Sequence, residues 1–175
     1  MGLSSSVRAQ GTARAKDVAT LFENVRIFDG NSSVLSAPSN VLVRGNVIER
    51  ISPTPITVEG NADVRVVAAA GRVLMPGLID AHWHSFMAAT SQPLLLTSEP
   101  SYLHMLATRQ AEATLMRGFT TVRDMGGPVF GIKRAIDEGV MTGPRIYPSG
   151  AFISQTSGHG DFRSFYGFRG HRAAH

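Results

Sequence analysis

Five consecutive residues, Asp80-Ala81-His82-Trp83-His84, carry the side chains best suited to chemistry in this chain. Neutral imidazole is a ligand for zinc, iron, nickel and copper. Residues two apart on a strand leave it on the same side, so His82 and His84 are candidate ligands aimed at one cation. Asp80 falls on that side too and is expected to support the ligands or the strand. The chain has no cysteine, so thiolate sites and disulfides are excluded, and any ion must be held by His, Asp, Glu or a modified Lys. A His-x-His pair also occurs by chance on protein surfaces, and that alternative stays open on spacing alone. What favours a metal is position. The pair closes the apolar run Val73-Leu74-Met75-Pro76-Gly77-Leu78-Ile79-Asp80-Ala81.

That run reads as one strand buried on both faces. Ser101–Arg117 reads as a helix, since Leu103, Ala107, Ala111 and Leu115 recur every fourth residue and Gly118 suits its C-terminal cap. Phe119–Arg123 is a second predicted strand, and Val129–Glu138, closed by Gly139, a second helix. Arg145–Tyr147, reaching Ile153 past Pro148, is a third strand. Alternating strands and helices imply a parallel α/β arrangement. The histidines then sit at the carboxyl end of a parallel strand, where such folds place their chemistry. Upstream the pattern is purely β. Leu21–Phe28 stops at the turn pair Asp29-Gly30, and Val64–Ala68 is a further strand. Val41–Arg44 and Val47–Ile51 flank Gly45-Asn46 as a hairpin. No internal repeat is visible.

Composition narrows the function class. The chain has 175 residues, 43% hydrophobic and 17% charged, as a folded globular protein would. Its net charge of +4 comes from the ends. Arg8, Arg14 and Lys16 stand at one, Arg163, Arg169 and Arg172 at the other, with no acid among either set. Between residues 17 and 161 there are 13 acids against 11 bases. Nucleic-acid binding, which concentrates bases on a folded face, is not expected. No apolar run reaches the roughly 18–20 residues of a membrane span, and the N-terminus lacks the apolar core of a secretory signal. A cytoplasmic location is expected. Met1-Gly2-Leu3-Ser4-Ser5-Ser6 loosely matches a myristoylation pattern, with a Ser/Arg-rich flexible leader as the alternative.

The stretch Val73 to His84 resembles the first barrel strand of the amidohydrolase superfamily. The β segment before it, with its Gly45-Asn46 hairpin, is similar to the small sandwich domain of those enzymes. Three later stretches occur in family order. They are Gly118-Phe119-Thr120-Thr121-Val122-Arg123-Asp124, Gly143-Pro144-Arg145-Ile146-Tyr147-Pro148-Ser149-Gly150, and Ser154-Gln155-Thr156-Ser157-Gly158-His159-Gly160-Asp161. Together they resemble the imidazolonepropionase-related branch, which includes prolidase-like Xaa-Pro dipeptidases. The resemblance covers Val18 to Asp161.

The resemblance implies an α/β fold, an incomplete (β/α)8 TIM-type barrel of about three strands preceded by a small β-sandwich segment. The expected organisation is a flexible tail at 1–16, the N-terminal part of a composite sandwich at 17–72, the first barrel units at 73–161, and a tail without family pattern at 162–175. It also implies one or two divalent ions, zinc foremost. His82 and His84 match the first-strand ligands. His159 matches a loop after the third strand and would face substrate or the rim of the site, the alternative being a polar turn residue between two glycines. Asp124 ends the second strand and would order neighbouring loops; Trp83 and Ser85 remove no ligand. The family supplies a lysine, two more histidines and a basic aspartate further on. Lys133, in a predicted helix, and Asp161, in the third-strand loop, match neither, so no catalytic residue is assigned.

A barrel needs about 250 residues, and about 100 follow Val73. The expectation is therefore an N-terminal fragment of a metal-dependent hydrolase of carbon–nitrogen bonds in small amide or dipeptide-like substrates. Alone it would be inactive, bind metal weakly, and be aggregation-prone or partner-dependent through its open sheet edge. Two alternatives are a non-catalytic, degenerate amidohydrolase-fold binding protein or remnant, and an unrelated α/β binding domain with an incidental histidine pair.

Overall fold

The computed structural model describes residues 18–59 and 63–161. The tails at 1–16 and 162–175, with their basic residues and the Met1-Gly2 pattern, lie outside the described residues. The chain divides into two compact units, Met1–Pro76 and Gly77–His175.

The first unit holds β1 (Val18–Ile27), β2 (Ser39–Arg44), β3 (Val47–Ser52), β4 (Asp63–Ala68) and β5 (Val73–Leu74). They form one sheet in the order β3-β2-β1-β4, with β5 also beside β1. The predicted hairpin is present, with Arg44 opposite Val47 across Gly45-Asn46. Partway along β1 the register with β2 shifts between Phe22 and Val25. Asn24 there takes φ +53° and donates its amide to Asn40 Oδ1 at 3.2 Å. Asparagine tolerates this left-handed geometry better than most side chains, and the resulting bulge re-aims the strand. Residues 18–23 then pair with β4, and Arg26 and Ile27 with β5. Alternation along the strands supplies two small cores, one of Ala19, Leu21, Leu42 and Ile56, the other of Val25, Val41 and Ala69.

The second unit holds β6 (Leu78–Trp83), α1 (Ser85–Ala89), α2 (Gln92–Thr97), α3 (Pro100–Met116), β7 (Phe119–Asp124), α4 (Phe130–Asp137) and β8 (Arg145–Pro148). Its strands pair β6-β7-β8, all parallel. The α/β alternation expected from the sequence is present, with α3 and α4 as the connecting helices. Trp83, Val122 and Ile146 from the sheet meet Leu103, Ala107, Ala111 and Ile132 from the helices in one core. The fourth buried position of α3 is Thr114 rather than Leu115. At 3.6 residues per turn, position 114 lies roughly 20° from Leu103 around the helix, while position 115 has drifted by roughly 120°. Gly118, at φ +95°, follows the Arg117 cap as expected.

Three expectations are corrected. The run Val73–Ala81 is not one strand, because β5 pairs with β1 while β6 belongs to the other sheet. Pro76 lies between them, and proline has no N–H for a ladder and restricts the residue before it. Nor is β6 buried on both faces: Ile79 is 70% and Leu78 43% exposed. Among the described residues β6 has β7 as its single strand neighbour, and only the helix side of the sheet is covered. The third strand ends at Pro148, and Ile153 is fully exposed. The helices α1 and α2 were not foreseen. No helix among the described residues is long and apolar enough to cross a membrane.

Gly143 brings the chain from α4 to β8 past the helices. A methyl group there would stand 2.5 Å from Ile136 Cδ1 and 3.4 Å from Ala111 Cβ. Gly143→Ala is expected to destabilise the chain by about 1–3 kcal/mol. Ile136→Val removes the clashing methyl, so in urea denaturation the double variant should lose clearly less than the sum of the two single changes.

Candidate functional site

The histidine pair lies at the carboxyl end of β6. Trp83 turns into the helix-side core at 5% exposure. On either side of it, the His82 and His84 rings approach edge to face with centroids 5.2 Å apart. His84 itself is the extended residue before α1, at φ −137° and ψ 102°, so the pleat continues one residue past the strand. Asp80 does not join the rings through its carboxylate. Its Oδ1 accepts the His82 amide at 3.0 Å, where the ladder to β7 shifts between Asp80 and Trp83. A bulge leaves one residue without ladder partners, and Asp80 satisfies the freed N–H.

Asp124 is fully buried. Its Oδ2 accepts the Ser85 amide at 2.9 Å and its Oδ1 the Gly126 amide at 3.0 Å. A buried carboxylate is costly unless hydrogen-bonded, and bonds to a charged acceptor are about twice as strong as neutral ones. Backbone bonds complete the seam. Met125 donates to Trp83 O at 2.8 Å, Ser149 to Asp124 O at 2.9 Å, and Gly127 to Gly150 O at 3.1 Å. The carboxyl ends of β6, β7 and β8 are thus tied to one another, with Asp124 at the junction and the residue after His84 held by it.

A cavity of about 300 Å³ opens beside His84. Phe152 forms part of its wall and stacks on the His84 ring at 5.9 Å. The Phe152 ring lies over Gly126, whose φ of +155° suits glycine and where a Cβ would stand 2.3 Å from Phe152 Cζ. His159 also lines the cavity, from an exposed loop. That loop is held from within: the Ser157 amide donates to Asp161 Oδ2 at 2.7 Å and the Gly160 amide to Ser154 Oγ at 3.2 Å. So His82 lies against His84, and His84 and His159 line one cavity, while Asp80 and Asp124 act on the backbone around the pair. The sequence analysis missed the walls contributed by Met87, Leu95 and Phe152.

The donor set suits a divalent cation in part. Two imidazoles converge, and among the described residues the buried His84 Nδ1 has no hydrogen-bond partner. An unsatisfied buried nitrogen is unfavourable, and ligation or a bound donor would relieve it. No group of three His, Asp or Glu able to hold an ion occurs among the described residues. The pair would supply two ligands where catalytic zinc usually takes three from the protein.

A profile of the amidohydrolase family matches residues 73–171. Ochratoxinase of Aspergillus niger is 38% identical over 95 residues, which is 51% of this chain and 19% of that protein. A solved prolidase in complex with N-methylphosphonate-L-proline is 33% identical, with a TM-score of 0.72 over 89% of this chain and 36% of its own. A solved Xaa-Pro dipeptidase with methionine in its active site is 29% identical, with a TM-score of 0.67 over 82% of this chain and 36% of its own. This chain thus spans about a fifth to a third of the length of these relatives.

Asp124→Asn keeps the shape but turns an NH2 towards one of the two amides. It is expected to cost about 1–3 kcal/mol and to speed hydrogen exchange at the Ser85 and Gly126 amides. Asp80→Asn, at a solvent-exposed bond, should cost less than about 1 kcal/mol. Thermal denaturation and exchange-detected NMR of both variants check the order.

Proposed function

The chain belongs to the amidohydrolase family, and on that footing we propose that it carries the first metal ligands of a hydrolase of carbon–nitrogen bonds in small amide or dipeptide-like molecules. The observation that carries this reading is the histidine pair at a parallel strand's carboxyl end, rings 5.2 Å apart, with a buried ring nitrogen lacking a partner among the described residues. In this proposal β6, β7 and β8 are the opening strands of a (β/α)8 barrel, and the upstream sheet is part of a small sandwich. The proposed parts are 17–72 and 73–161, and the solved relatives support the assignment by their likeness over most of the chain.

His82 and His84 would hold the cation, zinc being the first candidate. When bound, such a cation would polarise an amide carbonyl and lower the pKa of the attacking water towards about 7. The chain's own residues prepare the place for it. Asp124 fixes the backbone at Ser85, immediately after one ligand, and so limits how far the His84 ring can swing. Asp80 fixes the backbone of the other ligand through the His82 amide. Outer partners of this kind orient metal ligands, and their loss commonly costs ten- to a hundredfold in affinity. Phe152 packs beside the His84 ring. His159, in the same cavity, presents an imidazole to substrate. None of the described residues is assigned as the general base that accepts the proton of water and delivers it to the leaving nitrogen. The chain by itself is proposed to bind metal weakly and to lack turnover.

Cobalt(II) titration followed by visible absorption tests this reading. Weak binding is expected, which His82→Ala and His84→Ala each reduce about tenfold or more, or roughly 1.4 kcal/mol. Binding should weaken as the pH is lowered, because protons compete for the imidazole lone pairs. Cobalt uptake that both alanine variants leave unchanged would remove the pair from the metal site.

A further inference from the structure

The cavity beside His84 carries more information than its position. Its apolar walls are Met87, Leu95 and Phe152, and its neutral polar groups come from Thr90 and Gln92. Among the described residues, no ionisable side chain apart from the two imidazoles lines it. Four of its lining residues, from Met87 to Leu95, come from α1, α2 and the turn between them. At about 300 Å³ it stands at the small end of ligand cavities.

We infer that this cavity is a subsite for an uncharged, apolar side group of the substrate, of phenyl or branched-aliphatic size, and that Met87 sets its selectivity. The inference rests on the metal-centre reading above for what lies next to the cavity, but the chemistry of the walls stands by itself. A charged group placed there would lose water and gain no opposite charge, which is unfavourable. An apolar group would exchange water for thioether, isobutyl and aromatic contacts, which is favourable in proportion to the area covered. Phe152 reaches from the cavity to the His84 ring, so a group bound there would lie beside that histidine. Leu95 also packs against the main core of its unit, whereas Met87 is outside that cluster. Met87 is thus the wall residue that can change without undoing the fold, and its flexible thioether lets it follow the shape of an occupant.

Three planar molecules of nearly equal shape separate charge from fit: benzamide, benzoate and benzamidine. The full chain, labelled with ¹³C at the methionine methyls, is titrated with each at pH 8, Met87 being identified by its absence in Met87→Leu. Benzamide is expected to shift the Met87 methyl saturably, with benzoate and benzamidine binding about tenfold or more weaker. Met87→Glu should turn the preference towards benzamidine, and Met87→Trp should fill the space and abolish benzamide binding. Met87→Leu, read from amide shifts, should keep benzamide binding and so report that the fold survives substitution at this position. Equal binding of all three molecules, benzamide shifts that spare Met87, or undiminished binding to Met87→Trp would each overturn the inference. His82→Ala separates the two ideas, since it should weaken cobalt binding and leave the benzamide preference intact. Loss of the metal reading with the preference retained leaves the subsite standing, and the converse removes the subsite alone.

Discussion

A single buried carboxylate sets the geometry on which the candidate site depends. Asp124 has no solvent to stabilise it, so its two oxygens must find donors within the protein, and the donors available are the amides of Ser85 and Gly126. One amide is that of Ser85, the first residue of α1, and the other begins the turn over which Phe152 lies. Satisfying one charge therefore joins the start of α1, just after His84, to the turn after β7. A neutral residue at position 124 would leave these two segments without that tie, and the backbone beside His84 would lose its anchor.

The strand that carries the histidines is itself irregular. β6 shifts register against β7 twice, between Leu78 and Ile79 and again between Asp80 and Trp83. A regular strand would keep every amide in the ladder. Here the His82 amide is turned to the Asp80 side chain, which gives the displaced backbone an anchor. Bulges of this kind are common beside active sites because they re-aim one side chain without rebuilding a sheet. The two buried polar atoms without partners among the described residues, His84 Nδ1 and Ser85 Oγ, fall on adjacent residues at the end of that strand.

Much of this architecture can be read in the residues because it rests on periodicity. The Gly45-Asn46 hairpin, the strand ending at Asp124 and the α3 helix ending before Gly118 each follow from short-range pattern, and each is present. The same-side placement of His82 and His84 also follows from pleat alone. What escaped has a physical reason in each case. The helices α1 and α2 have five and six residues, too few to show a helical period. The split of Val73–Ala81 depends on which sheet each half joins, and a Val/Leu/Ile run fits either. Met87, Leu95 and Phe152 look like ordinary core residues, because lining a cavity and filling one call for the same side chains. The bond from Asp124 to Ser85 spans 39 residues, and no local pattern encodes such a contact.

Trp83 sits between the two histidines and is the chain's only tryptophan. Its indole is buried in the helix-side core while its backbone carries the two imidazoles away from that core. Tryptophan emission from this protein therefore originates at one address, the residue between the two histidines. An open-shell cation such as copper(II) would drain that excited state, and a closed-shell one such as zinc would leave it bright. The fold has thereby placed a native lamp beside its own most reactive pair of side chains.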